Sequence, residues 1–154
     1  MGLVITAYSM PHSFFMDIAF AEAAKAFDRL EVPVGCVVVK NGTIVSMSHN
    51  MTNANKSPLE HAEIISVRNV DCSNSIFYVT CEPCIMCMGI LGRLENVEVY
   101  YGCKNEIFGS ETICGIGIKS VYLPDNRCFE ILRKFYAREN TFAPDEKRKS
   151  KRHD

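Results

Sequence analysis

The sequence predicts an α/β domain, with a single mixed five-stranded sheet flanked by helices. Three observations carry this expectation. Segments of helical period alternate with short β-branched or aromatic runs, in the order helix, hairpin, helix, strand, helix, strand, short strand, helix. The chain has 154 residues, 47% hydrophobic and 23% charged, which suits one domain with a full core. No Gly-rich nucleotide fingerprint follows a strand-like run and no internal repeat is present, so a nucleotide cofactor is not expected.

Each element has a local reason. Residues 13–30, SFFMDIAFAEAAKAFDRL, read as a helix with Ser13 as its cap and with Asp17 and Glu22 punctuating an apolar-rich stretch. In VPVGCVVVKNGTIVSMSHN two β-branched runs flank Asn41-Gly42, a strong hairpin signal. Residues 50–57 form a polar loop. A helix is then expected from Ser57, with Pro58 at its first position and Glu60 completing a capping box. SIFYVT, residues 75–80, is a short strand. CEPCIMCMGILGRL turns from it into a helix with Pro83 near its start. NVEVYYG, residues 96–102, is a further strand. Residues 104–118 are Gly-rich and read as a loop near a site, residues 118–123 as an edge strand, and residues 126–140 as a closing helix.

No window of 18 consecutive apolar residues occurs, and the first residues lack the basic start and long apolar run of a signal peptide. No membrane association is expected, and a cytoplasmic or nuclear location is. Eight cysteines in such a chain read as buried thiols and metal ligands instead of disulfides. Charge is unevenly placed. Residues 147–154, KRKSKRHD, hold five Lys or Arg and one Asp, leaving twelve basic against seventeen acidic groups in residues 1–146. A domain over residues 1–140 followed by a basic, flexible tail over 141–154 suits a polyanionic partner reached by the tail, although such a tail also serves solubility.

The chemistry concentrates in CEPCIMC, residues 81–87. Cys84 and Cys87, three apart at a helix start, present both thiols on one face, where thiolate is favoured. His61, at another predicted helix start, is the best third ligand. Three protein ligands leave a fourth position for water, as in catalytic zinc sites. Glu63, in the same helical turn as His61, then makes sense as a proton shuttle. Cys81 leaves an alternative open, a closed structural site of three thiolates and one imidazole. Its place at a strand end, before the turn at Pro83, favours the catalytic set.

LEHAE at 59–63 and EPCIMC at 82–87 resemble the zinc deaminase signature, H-x-E followed by P-C-x-x-C. VPVGCVVVKNG, SHNMTN, YVTCEPCIMCMGIL and VYYGCKNEIFGS extend the resemblance over about residues 12–140. They are most similar to the catalytic-subunit branch of the eukaryotic tRNA adenosine deaminases, within the zinc-dependent cytidine and deoxycytidylate deaminase superfamily. The resemblance implies a cytidine-deaminase-like fold and a Zn2+ ion on His61, Cys84 and Cys87, with Glu63 as catalytic shuttle. It places Asn50, Val34, Gly35, Cys36 and Pro83 at the substrate. It implies deamination of adenosine to inosine at the tRNA wobble position, the base being splayed out of the anticodon loop. It also implies a heterodimer with an inactive deaminase-like subunit, a homodimer being conceivable without it, and a tRNA-gripping tail at Lys147, Arg148, Lys149, Lys151 and Arg152. Three departures stand out: Cys81, the segment after residue 109, and Ile107, where relatives often carry a basic residue. Two other readings share parts of this pattern. One is a deaminase of free cytidine, deoxycytidylate or guanine, and the other a non-enzymatic, zinc-stapled RNA-binding subunit, against which Glu63 argues.

Overall fold

In the computed structural model of the protein, which describes residues 10–115 and 118–147, the expected five strands form one sheet. The elements are α1 (His12–Asp28), β1 (Gly35–Lys40), β2 (Thr43–His49), α2 (Ala62–Val67), β3 (Ser75–Cys81), α3 (Ile85–Leu91), β4 (Glu98–Cys103), α4 (Ser110–Cys114), β5 (Lys119–Tyr122) and α5 (Asn126–Tyr136). A short 3-10 turn, Asp145–Lys147, follows. Strand order is β2-β1-β3-β4-β5. β1 runs antiparallel to both β2 and β3, while β3, β4 and β5 are parallel, so the sheet is mixed.

The hairpin closes through Asn41 and Gly42, both at positive φ (51° and 72°), the geometry of a two-residue primed turn. Registers Val38↔Ser46 and Val39↔Ile44 leave one extra residue on β2, a bulge. The alternation along β1 then sorts the core. Val37 and Val39 face α1 and α5 together with Phe15, Met16, Tyr78 and Cys128. Cys36 and Val38 face α2 and α3 together with Ala62, Phe77, Val79 and Leu91. β1 is therefore buried on both sides, which explains its unbroken apolar run. On the α1 side the approach is closest at Gly35: an added Cβ would lie 2.0 Å from the Ala19 carbonyl oxygen and 2.6 Å from the Ala23 nitrogen.

Helix starts differ from the local reading. α1 begins at His12 behind Pro11, without a side-chain cap from Ser13. His12 is held instead by tertiary partners, donating or accepting at Tyr78 Oη (2.7 Å) and stacking on Tyr100. α2 begins at Ala62, not near Ser57. Residues 57–60 make a turn, Glu60 N donating to the Ser57 carbonyl at 3.3 Å, and the Glu60 carboxylate pairs with Arg68 and Asn55 instead of closing a capping box. Residues 104–118 are not all loop, since α4 lies within them.

Candidate active site

The C-terminal ends of β3 and β4, the starts of α2 and α3, and residues 104–108 converge on one open cleft of about 990 Å³. His61 is the residue capping α2, and Cys84 caps α3, its Sγ accepting from Cys87 N at 3.5 Å. Cys87 follows in the first turn of α3. The two helix starts thus face each other with an imidazole on one and two thiols on the other.

The geometry fits zinc. His61 Nδ1 lies 3.7 Å from Cys84 Sγ and 3.4 Å from Cys87 Sγ, and all three ligand atoms fall within 4.8 Å of one another. A tetrahedral zinc with ordinary Zn–N and Zn–S lengths would separate nitrogen and sulfur ligand atoms by about 3.5 Å. The donor chemistry agrees. A hydrogen bond from Cys87 holds the Cys84 thiol down to about 4, with burial opposing and His61 assisting, while the same bond and burial push the Cys87 thiol up. Among the described residues this is the one His/Cys/carboxylate cluster arranged in this way.

Cys81 stands outside it. It pairs in register with Cys103 on the neighbouring parallel strand. Its thiol is buried, and the Cys103 thiol and burial both push its pKa up. The closed four-ligand alternative therefore has no support in the geometry. Cys81 is a wall of the cleft, as its place at a strand end suggested.

Glu63 occupies the first turn of α2 and is only 4% exposed, yet it lines the cleft beside His61 and Cys84. Burial pushes its carboxyl above the usual range, with the Cys84 thiolate adding to the effect. A carboxyl beside the ligand set and facing the cleft is placed to exchange a proton with a bound substrate.

Asn50 is 5% exposed and also lines the cleft. Its Oδ1 accepts from Ala62 N at 2.9 Å, so the amide Nδ2 is the group left for a ligand. Val34 lines the same wall, and its carbonyl accepts from Asn50 N. The other expected substrate contacts lie elsewhere. Gly35 is pressed against α1, Cys36 is fully buried with the α2 side of the core, and Pro83 is buried under α4, its carbonyl accepting from Ser110 N. None of the three lines the cleft. Of the basic tail, residues 148–152 lie outside the described residues.

Three features escaped the sequence reading. α5 supplies Phe129, Leu132, Arg133 and Tyr136 to the cleft, since its strongly one-sided pattern turns an aromatic edge toward it. Glu31 is 1% exposed, and its carboxylate accepts from Thr52 Oγ1, Asn53 N and Ala54 N, fixing the loop after Asn50. Glu82, 2% exposed, does the same for residues 105–112. Burial alone would raise its pKa, but the Thr112 hydroxyl and the amides of Asn105, Thr112 and Glu111 bring it below the ordinary value. A sequence does not distinguish such buried glutamates from surface ones.

Comparisons with known proteins agree with this geometry. Residues 9–103 match the family model for the cytidine and deoxycytidylate deaminase zinc-binding region. A tRNA-specific adenosine deaminase 2 from Danio rerio is 35% identical over 86% of this chain and 74% of its own. A solved structure from work on A-to-I editing by tRNA:A34 deaminases superposes with a TM-score of 0.70 at 28% identity, over 79% of this chain and all of that one. A guanine deaminase from Bacillus subtilis superposes with a TM-score of 0.58 at 25% identity, over 81% of this chain and 95% of that one.

Proposed function

This chain belongs to the cytidine and deoxycytidylate deaminase zinc-binding family, and from that premise we propose that it deaminates adenosine to inosine at the wobble position of tRNA, releasing ammonia. The supporting observation is the cleft itself. It extends well past the ligand triad, and its outer part is walled by Phe129, Tyr136, Phe108 and Tyr122 together with Lys104 and Arg133. Aromatic faces and cations in one groove suit a single-stranded RNA segment.

Each residue then has a task. His61 Nδ1 and the Cys84 and Cys87 thiolates would hold the zinc. When bound, zinc supplies a water made nucleophilic at neutral pH. Glu63 would take one proton from the attacking water and deliver it to the ring nitrogen, then take the second from the hydroxyl now on the ring carbon and give it to the departing amine, so that two protons taken match two given. Its burial keeps it shielded from bulk water. Asn50 offers Nδ2 to the nucleoside while its Oδ1 stays fixed on α2. Val34 packs against the base.

The same proposal includes a heterodimer with an inactive deaminase-like subunit and a tail, residues 147–154, that grips tRNA phosphates. The charge separation between tail and body supports the latter. It also includes a cytoplasmic or nuclear site of action. The test is inosine formation on tRNA, with and without such a partner, beside ammonia release from free adenosine, cytidine, deoxycytidylate and guanine. Inosine in tRNA is the expected result. Turnover of a free nucleobase or nucleotide with none on tRNA would establish the competing reading.

A further inference from the structure

We propose that Glu82 is a positioning residue that clamps residues 105–112 onto the metal-binding turn, so that Ile107 and Phe108 form an apolar lip gripping the nucleotide next to the reacting adenosine; the gripping role rests on the tRNA reading above. Glu82 sits between the end of β3 and Cys84, so its backbone belongs to the turn that carries two of the three zinc ligands. Its carboxylate bonds to the segment that follows β4. Oε2 accepts from Asn105 N (3.0 Å) and Thr112 Oγ1 (2.6 Å), and Oε1 from Glu111 N (3.0 Å) and Thr112 N (2.8 Å). Those last two amides belong to the first turn of α4, where a helix leaves its amides without internal partners. One remote carboxylate therefore starts α4.

The segment is held at a second level. Cys84 and Gly109 form a bridge, with Ile85 N donating to the Phe108 carbonyl (3.0 Å) and Ser110 N to that of Pro83 (3.1 Å). Asn105 Oδ1 accepts from Phe108 N (3.0 Å), tightening the loop. Gly109 is required for this closeness, because an added Cβ would lie 2.6 Å from the Glu82 carboxylate and 2.4 Å from the Asn105 carbonyl oxygen. A loop so tightly fixed nevertheless leaves its two apolar side chains unburied: Ile107 is 73% exposed and Phe108 63%, both at the cleft. Rigid backbone under exposed apolar side chains is the arrangement of a preorganised contact, which binds without first losing loop entropy.

The experiment compares wild type, Glu82→Gln, Phe108→Ala and the double variant on an anticodon stem-loop, with zinc content measured throughout. Gln keeps the size of Glu but turns one acceptor oxygen into a donor facing backbone amides. We expect Glu82→Gln to retain about one zinc per chain, to raise KM about tenfold, and to lower kcat less than about threefold. Phe108→Ala should raise KM alike, and the double variant should be little worse than either single one, because both act through one lip. Thr112→Val, which removes one donor without altering charge, should give a smaller KM rise if Glu82→Gln does not fold. Loss of zinc, or a fall in kcat at unchanged KM, overturns the proposal. Amide hydrogen exchange separates this failure from that of the tRNA reading. Faster exchange at Glu111 and Thr112 in Glu82→Gln, with α2 unchanged, establishes the clamp even if wild type makes no inosine; unchanged exchange overturns it even if wild type does.

Discussion

Asn50 Oδ1 accepts a hydrogen bond from Ala62 N at 2.9 Å. One side chain thus starts the helix that carries Glu63, orients the backbone immediately after His61, and faces the cleft. The start of α2 and the wall of the cleft meet in one amide.

Asn50→Ala should therefore act on both. It leaves the buried Ala62 N–H without its acceptor and should cost about 1–3 kcal/mol of stability. Thermal denaturation would report this as a lowered Tm, and deaminase activity should fall further than stability accounts for. An active variant of unchanged Tm would contradict the dual role.

Zinc content separates the cysteines. Cys87→Ser or His61→Ala should lose metal, while Cys81→Ser should keep about one zinc per chain, as three ligands around one ion require. Metal analysis after dialysis against a chelator gives the answer. Zinc loss in Cys81→Ser would restore the four-ligand alternative. Because metal binds the folded chain, removing it should also lower Tm.

Glu63→Gln should hold zinc and lose activity by about 10²- to 10⁴-fold, the usual range for general acid–base catalysis. Gln is near in size but cannot carry the proton. Metal content and turnover should be measured on the same preparation, and full activity with zinc bound would sink the shuttle role.

Acid stability carries a further signature. Glu22 is 6% exposed and its carboxylate accepts from Lys25 Nζ and from His49 Nδ1 (2.8 Å). Burial would raise its pKa, but these two partners bring it below the ordinary 4.5. Since the folded value lies below the unfolded one, its contribution is complete above about 4.5 and is lost as pH falls through the folded value. Glu22→Gln should flatten this part of the stability profile. Denaturant midpoints between about pH 3 and pH 6 measure it, and superimposable profiles for both proteins would exclude the linkage.

Much of the fold is written locally. Asn41-Gly42 specifies the hairpin because both positions need positive φ. The unbroken run at residues 35–39 marks a strand covered on both faces. The triad of His61, Cys84 and Cys87 was legible because it forms a motif of fixed spacing, and Glu63 was singled out by its place in the same turn as His61.

Helix starts were less legible, and the reason is the same in each case. The local cap at Ser57 lost to Asn50, and α4 was invisible because its cap, Glu82, lies near residue 82 and not near residue 110. The capping bond is equally good from either source, and only the folded chain decides which acceptor arrives. Gly35, Cys36 and Pro83, expected at the substrate, likewise lie outside the lining of the cleft. Gly35 is covered by α1, Cys36 is packed into the α2 side of the core, and Pro83 is buried beyond the end of β3, contacts that the chain near each residue does not announce.

The sequence by itself determined the period of the main elements, the hairpin turn and the triad of His61, Cys84 and Cys87, because these depend on residues near in the chain or on a motif complete in itself. The tertiary structure decided which side chains start α2 and α4, that Cys81 pairs with Cys103 and not with metal, and that α5 and the clamped 105–112 segment wall the cleft. Those outcomes rest on hydrogen bonds and packing between residues that are distant in sequence, whose partners compete until folding brings one of them within bonding distance.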